Sequence, residues 1–372
     1  MNIKSLLLGS AAALAVVSGA QAADAIVAAE PEPMEYVRVC DAFGTGYFYI
    51  PGTETCIKIG GKVRYDAEAA DSYTPDSDNG WRKKSRAEIT VDTASDTEWG
   101  ALKTNIIARW DWTTGGRSTS GPVFDADGVQ IGTADDIGLG NTDAKLIAAN
   151  ITLGGFLVGL ADSQYSAFPG YAGDIINDDV ISYGQFERNQ ISYTYDAGNG
   201  FSIVGAFEDR GQFGNNEYLP NMVAGVGYTT GAFGFHLVGG YDAEVEEGGI
   251  KGRIDATFGS FSAFYMAAWN SDGDTTNAYA PGDSIGQSWG DWAMWGGVGA
   301  KFTDNLGANF QAALTDNDTI ALAANLKWEV VPGLLIQPEV TWTKWDGEDG
   351  GAGTFDVDDD QWNGMVRFQR SF

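Results

Sequence analysis

From Ile57 onward the chain alternates. In Ile57-Lys-Ile-Gly-Gly-Lys-Val-Arg-Tyr65 the odd positions carry Ile57, Ile59, Val63 and Tyr65, and the even ones carry Lys58, Lys62 and Arg64. Ala87-Glu-Ile-Thr-Val91 repeats the pattern, and residues 99–112 set Leu102, Ile106, Ala108, Trp110 and Trp112 against Lys103, Asn105, Arg109 and Asp111. A period of two marks a strand with two unlike faces. Such segments recur at 57–68, 83–93, 99–112, 142–153, 156–163, 189–196, 201–209 and 222–228. They continue at 233–242, 250–258, 261–270, 291–302, 306–314, 319–331, 334–345 and 361–372, which makes sixteen. Their length, about ten residues, suits a tilted strand crossing a bilayer.

The connections are by turns short and long. Short ones lie at 95–98, 154–155, 198–200, 229–232, 259–260, 303–305 and 332–333. Longer ones lie at 69–82, 113–141, 164–188, 210–221, 243–249, 271–290, 315–318 and 346–360, with 315–318 the weak member. This sorting is expected when all connections of one kind lie on one side of a membrane and an even strand count returns the chain to its starting side. A β-sandwich with Greek-key crossovers does not sort its connections. The predicted fold class is all-β: a 16-stranded antiparallel transmembrane β-barrel over 57–372, with short periplasmic turns and long extracellular loops. In such a barrel the apolar face meets lipid and the polar face meets water. Trp99, Trp110, Trp112, Trp269, Trp292, Trp295, Trp342 and Trp345 fall near strand ends, where interfacial girdles are expected. The last strand, GMVRFQRSF, runs to Phe372 and is expected to pair with the first, so that no sheet edge remains in lipid.

The two ends and the charge sharpen this picture. Residues 1–22, MNIKSLLLGSAAALAVVSGAQA, read as a cleaved signal peptide: Lys4, an apolar run from Leu6 to Val17, then Ala20-Gln-Ala22. No comparable apolar run follows, so transmembrane helices are not expected. The formal net charge is −29, which argues against a nucleic-acid partner. Two cysteines in an exported chain, Cys40 and Cys56, favour a disulfide. Turn signals at Gly44-Thr-Gly46 and Pro51-Gly52 make 23–56 a lead-in followed by a stapled hairpin. His236 is the only histidine and sits in a strand-like stretch, where a wall residue is favoured over a metal ligand. No cofactor and no defined metal site are expected. A barrel enzyme would need a His or a carboxylate pair set beside a nucleophile, and none is visible. A sugar-specific channel with an aromatic slide and a secreted adhesin are the other readings weighed.

MNIKSLLLGSAAALAVVSGAQAADAIV, EYVRVCDAFGTGYFYIPGTETCIKIGGKVRYD, GYAGDIINDDVIS and the terminal VRFQRSF closely resemble the porins of alphaproteobacterial outer membranes, of the rhizobial and Brucella type. The resemblance implies a homotrimer and passive diffusion of small hydrophilic solutes. It also implies outer-membrane lipid and lipopolysaccharide as surroundings, and a C-terminal signal read by the barrel-assembly machinery, carried here by Phe368 and Phe372. Arg370 departs from that signal, which usually has an apolar residue there, and is expected to snorkel at the interface.

The candidate site is a constriction. The third long connection, 164–188, carries Asp174, Asp178, Asp179 and Glu187, and its Ile175, Ile176, Val180 and Ile181 suit packing against the wall. The resemblance implies that this loop folds into the lumen. Eleven of the 22 basic residues lie between Lys58 and Lys145. Lys62, Arg64, Lys84, Arg86, Lys103, Arg109 and Lys145 form a basic arc expected to face the acidic loop across a transverse field. The alternative is that these cations pair with wall acids such as Asp66, Glu88 and Asp111. The acid excess favours cations at the mouths and the arc favours anions, and the sequence leans to cations.

Overall fold

The computed structural model describes residues 38–70, 80–114, 122–124, 130–133, 141–210, 218–284, 286–345 and 360–372. The signal segment 1–22 and residues 23–37 of the lead-in lie outside the described residues. Sixteen strands make up the wall: β1 (Cys56–Ala70), β2 (Gly80–Thr97), β3 (Gly100–Thr114), β4 (Asn141–Leu153), β5 (Phe156–Asp162), β6 (Glu187–Asp196), β7 (Phe201–Glu208) and β8 (Asn221–Thr229). The second half is β9 (Phe233–Asp242), β10 (Glu247–Phe258), β11 (Phe261–Asn270), β12 (Trp292–Thr303), β13 (Leu306–Thr315), β14 (Ile320–Val331), β15 (Leu334–Lys344) and β16 (Asp360–Ser371). Each pairs antiparallel with the next, and β16 pairs with β1 from Asn363↔Ala70 to Ser371↔Lys62. The sheet is therefore a closed barrel, as the alternation predicts. No helix among the described residues is long and apolar enough to cross a membrane.

The elements differ from the sequence expectation mainly at the long-connection side. β2 has 18 residues, against the eleven expected. The added residues are Gly80-Trp-Arg82 at one end and Ala94-Ser-Asp-Thr97 at the other, where the apolar–polar contrast is weak, but the ladders to β1 and β3 continue regardless. β10 starts at Glu247, so the connection 243–249 shrinks to a four-residue turn. Within 113–141, Pro122–Phe124 and Gln130–Thr133 pair as a small separate hairpin. Pro338 interrupts the β14–β15 ladder between Asn325↔Glu339 and Trp328↔Ile336, because proline has no N–H to donate.

The terminal strand runs to its last atom. The Phe372 N–H donates to Gly61 O and the Gly61 N–H donates to Phe372 O, both at 3.1 Å. Gly61 permits this close seam: a Cβ there would lie 2.3 Å from Glu88 O and 3.0 Å from the Phe372 ring. Arg370 is exposed and donates to Pro332 O at 2.6 Å, in the turn between β14 and β15. Beside the seam, Cys40 and Cys56 form a disulfide with a Cα separation of 6.1 Å. Phe48–Tyr49 pairs with Cys56–Ile57, completing the stapled hairpin. Lys58 places its ammonium 5.9 Å from the Tyr47 ring centroid, so the hairpin lies on the polar side of β1.

The two faces are sorted as lipid requires. Val63, Ile89, Ile106, Ile151, Ile191, Leu237, Ile254 and Val298 are exposed on the outside, and Asp66, Glu88, Gln190, Ser192, Gln311 and Glu339 are buried on the inside. Trp99, Trp110, Trp112 and Trp269 are exposed at strand ends. Trp295 and Trp345 are not girdle residues. They fall on the inward parity and are buried, Trp295 fully.

The seam makes a prediction. Gly61→Val should overpack the β16–β1–β2 contact, at a cost of about 1–3 kcal/mol or more. The compact, heat-modifiable band on an unheated gel should be lost. Gly231→Val, where no atom lies within 4 Å of the added carbon, should keep that band.

Candidate functional site

The segment between β5 and β6 is built to enter the barrel. Ser163 caps the short helix α1 (Gln164–Ala167), accepting from the Tyr165 N–H at 3.2 Å. Glu208 on β7 receives the Ser163 hydroxyl and the Gln164 N–H, each at 2.8 Å. One inward carboxylate thus anchors the entry. Tyr165 is buried with its ring centroid 5.0 Å from that of Tyr279. Gly240 makes room for this pair, since a Cβ there would stand 2.4 Å from the Tyr279 ring. Burial pushes the phenols of Tyr165, Tyr183 and Tyr279 upward, so they stay neutral. Lys251, fully buried on β10, lies 4.2 Å from the Tyr165 ring centroid and donates to Tyr183 O. Aromatic faces and a carbonyl take the place of a carboxylate partner.

The segment then crosses the wall. Arg253 on β10 donates to Tyr171 O. Asp174 O accepts from Asn325 (2.8 Å) and Gln337 (3.2 Å). Glu339 on β15 accepts the N–H groups of Ile176 (2.6 Å) and Asn177 (2.9 Å) and the Asn325 amide (2.9 Å). On the return, Ile181 bridges Asp283, and Ser284 N–H donates to Val180 O at 2.8 Å. Trp295 donates to Ile181 O at 2.8 Å. Ile181, Tyr183, Met266, Trp289 and Trp295 form the packed core beneath. Among the described residues, hydrogen bonds from the loop to the barrel reach β5–β7, β10 and β12–β15, and none reaches β16, β1, β2 or β3.

Those four strands carry a charged lattice. Across the register, Gln369, Arg64, Arg86 and Asp111 form one row, and Arg367, Asp66 and Lys84 form the next. Arg86 holds Asp111 through two contacts of 2.7 Å, and Arg367 holds Asp66 at 2.8 and 3.0 Å. Lys62 and Arg109 share Glu88 at 2.6 and 2.8 Å, and Arg82 pairs with Glu68. Arg64 donates to Gln369 Oε1 at 3.0 and 2.9 Å. Between this lattice and the loop lies a cavity of about 340 Å³, lined by Arg64, Asp66, Glu68, Arg82, Lys84, Arg86, Met365 and Arg367 on one side. Ile176, Asn177 and Asp179 line the other.

The predicted residues do not all meet at one place. Asp179 faces Arg64, Lys84 and Arg86 across the gap. Asp174 and Asp178 turn elsewhere: Asp174 pairs with Lys327 at 3.0 Å, and Asp178 accepts from the Tyr183 hydroxyl at 2.8 Å. Glu187 and Lys145 pair with each other at 3.0 Å on the wall. Lys62 and Arg109 sit one row below Arg64, and Lys103 lies exposed three residues into β3, close to a short turn. Sequence reasoning missed Arg82, Arg367 and Glu339. Arg367 is on the inward parity of β16, opposite to Phe368, so the alternation itself held the signal. Arg82 lay just outside the predicted strand. Nothing in the local pattern marks Glu339 as an anchor.

Burial pushes Asp178 up to about 7, helped by the nearby charges of Asp179 and Glu339 and opposed by the Tyr183 hydroxyl. Asp179 is also raised by burial, with Lys84 opposing.

A closed barrel with an outward apolar face, a charged interior and a loop packed on its inner wall is a membrane channel. The chain belongs to the porin family: the family model described as Porin subfamily matches residues 24–365. It is 44% identical over 382 residues to Porin Omp2a of Brucella suis biovar 1, covering 100% of both chains. Porin Omp2b of the same organism is likewise 44% identical, over 384 residues and 100% of both. Among solved structures, the anion-selective porin from Comamonas acidovorans aligns with a TM-score of 0.59 at 13% identity, covering 86% of this chain and 100% of that one. A Rhodopseudomonas blastica porin variant aligns at 0.51 with 10% identity, covering 85% and 100%. The protein is an outer-membrane porin channel for passive diffusion.

Two predictions come from the loop. Glu339→Ala would strand the buried N–H groups of Ile176 and Asn177, at about 1–3 kcal/mol each. Hydrogen exchange of residues 174–179 should accelerate. Asp178 supplies the second. From the usual carboxylate range to about pH 7 the packed loop holds a proton that a released loop has lost, so packing weakens as pH rises through that window. Protection of the 174–183 amides, after correction for base-catalysed intrinsic exchange, should fall between about pH 5 and about pH 8. Asp178→Asn should remove that slope.

Proposed function

We propose that the segment 164–188 is the constriction of this porin, and that solutes pass between its tip and the basic arc on β16, β1, β2 and β3. The observation that supports it is the cavity bounded by Ile176, Asn177 and Asp179 on the loop and by Arg64, Lys84 and Arg86 on the wall. Within this reading Asp179 is the loop's charge at the gap. Asp174 and Asp178 hold the loop in place, and Lys62, Arg109, Lys145 and Glu187 continue the charged wall around it. Lys103 belongs to the wider periplasmic side. The cavity lining contains no aromatic side chain, which disfavours an aromatic slide for sugars.

The remaining parts follow the family. Residues 1–22 serve as a cleaved signal peptide, and 23–56 form a periplasmic lead-in ending in the disulfide hairpin. Phe368 and Phe372 carry the signal for the barrel-assembly machinery. Three copies assemble, as in the Vibrio cholerae neighbour whose structure is described as a trimer form. Lipid and lipopolysaccharide surround the apolar face. No reaction is catalysed: the charged side chains at the gap are spent on ion pairs and on solute contact.

Single-channel recording in planar bilayers tests the constriction. The full mature protein should give stepwise conductance. Asn177→Trp, which adds bulk at a position lining the gap, should lower each step by roughly half, since the narrowest section dominates resistance. Ser271→Trp, in an outer connection, should leave the steps unchanged. Equal steps in both variants would place the narrow section elsewhere.

A further inference from the structure

We infer that the gap is an anion filter, in which Arg64 and Lys84 hold a small oxyanion in transit. This rests on the constriction reading and names the solute class it admits.

The inference comes from how the lattice resolves its own repulsion. Arg64 and Arg86 are directly opposite in the β1–β2 ladder, and Lys84 lies two residues along on the same face. Like charges opposite one another destabilise a sheet unless something lies between them. Arg86 turns to Asp111, Arg367 takes Asp66, and Arg82 takes Glu68. Each carboxylate in reach is thus already held by an arginine. Arg64 is left with the neutral amide of Gln369, using Nε and one terminal nitrogen. Lys84 makes no hydrogen bond or ion pair with the described residues. Two cations without acid partners therefore face one carboxylate, Asp179, across the cavity.

The local surplus is positive, although the whole chain carries −29. The outer acids are screened over about 8 Å at physiological salt. A charge inside a narrow, partly desolvated gap is screened far less. The mouths therefore gather cations while the gap passes anions. A guanidinium with one terminal nitrogen left over, beside an ammonium, suits a carboxylate or phosphate oxygen, which accepts from both at once.

The test is the zero-current potential of the purified full-length mature porin in a potassium chloride gradient, with inorganic phosphate as probe. The unsubstituted protein should favour chloride over potassium. Arg64→Gln/Lys84→Gln should reverse that order, and Arg64→Lys/Lys84→Arg should retain it. Millimolar phosphate should reduce chloride current in the unsubstituted protein and not in the glutamine variant. Potassium preference in the unsubstituted protein, or chloride preference that survives the glutamine variant, would overturn the filter while leaving the channel intact. Chloride preference without phosphate block would overturn the holding role of the pair. Absence of conductance steps would strike the channel reading itself.

Discussion

In a bilayer core no water is present to satisfy a free N–H or C=O, so a sheet there has no tolerable edge. The reciprocal pair between Phe372 and Gly61 answers that constraint at the last residue of the chain. Closure at this seam fixes the strand count as even and the parity of every side chain. A one-residue slip at β16–β1 would turn Val63 and Tyr65 inward and Arg64 and Asp66 toward lipid. The glycine at position 61 is therefore a requirement of the whole barrel. It is the point where three backbones and a phenyl ring meet too closely for a Cβ.

Once parity is fixed, the interior divides by hydration. The wall beneath the loop is mostly neutral: Gln311, Asn325, Gln337 and Thr341, with Ala293, Trp295 and Met266 beside them. A charge there would lose its water when the loop packs down. The exceptions carry enough hydrogen bonds to offset that loss. Glu208 receives two short donors, Glu339 receives three, and Lys251 lies against a carbonyl and two aromatic faces. The wall the loop leaves open can stay charged because it stays wet.

Much of this was written in the alternation. All sixteen strands, the short turns, the closing pair and the disulfide follow from local pattern, since each depends on neighbours in sequence or on the strand period. Boundaries were less legible, because stretches such as Gly80-Trp-Arg82 and Ala94-Ser-Asp-Thr97 at the two ends of β2 carry weak contrast. Trp295 and Trp345 were assigned to girdles by composition, while their parity pointed inward. Inward parity pointed to Arg64, Lys84 and Arg86 at the cavity, but Arg82 and Arg367 were missed and the internal pairing was not shown. Whether Asp66 meets Lys84 or Arg367 depends on which neighbour offers the better fork, and that is decided across strands more than 300 residues apart in sequence. The roles of Asp174 and Asp178 were hidden for the same reason: an acidic residue in a loop reads as solvent-facing until its packing partners are known.

In the proposed constriction, the loop and the wall divide the labour of selection differently from what the acidic composition suggests. The loop's acids are mostly occupied in holding the loop. Asp174 meets Lys327, and Asp178 is buried against Tyr183, where its own desolvation keeps it near neutrality. The wall's acids are mostly occupied in holding arginines flat against the sheet, where bidentate forks fix them. Charges fixed in this way give a field without occupying the lumen. On the proposed filter, what remains to act on a solute is the unpaired remainder of the lattice, whose sign is set by two side chains, not by the sum over the chain.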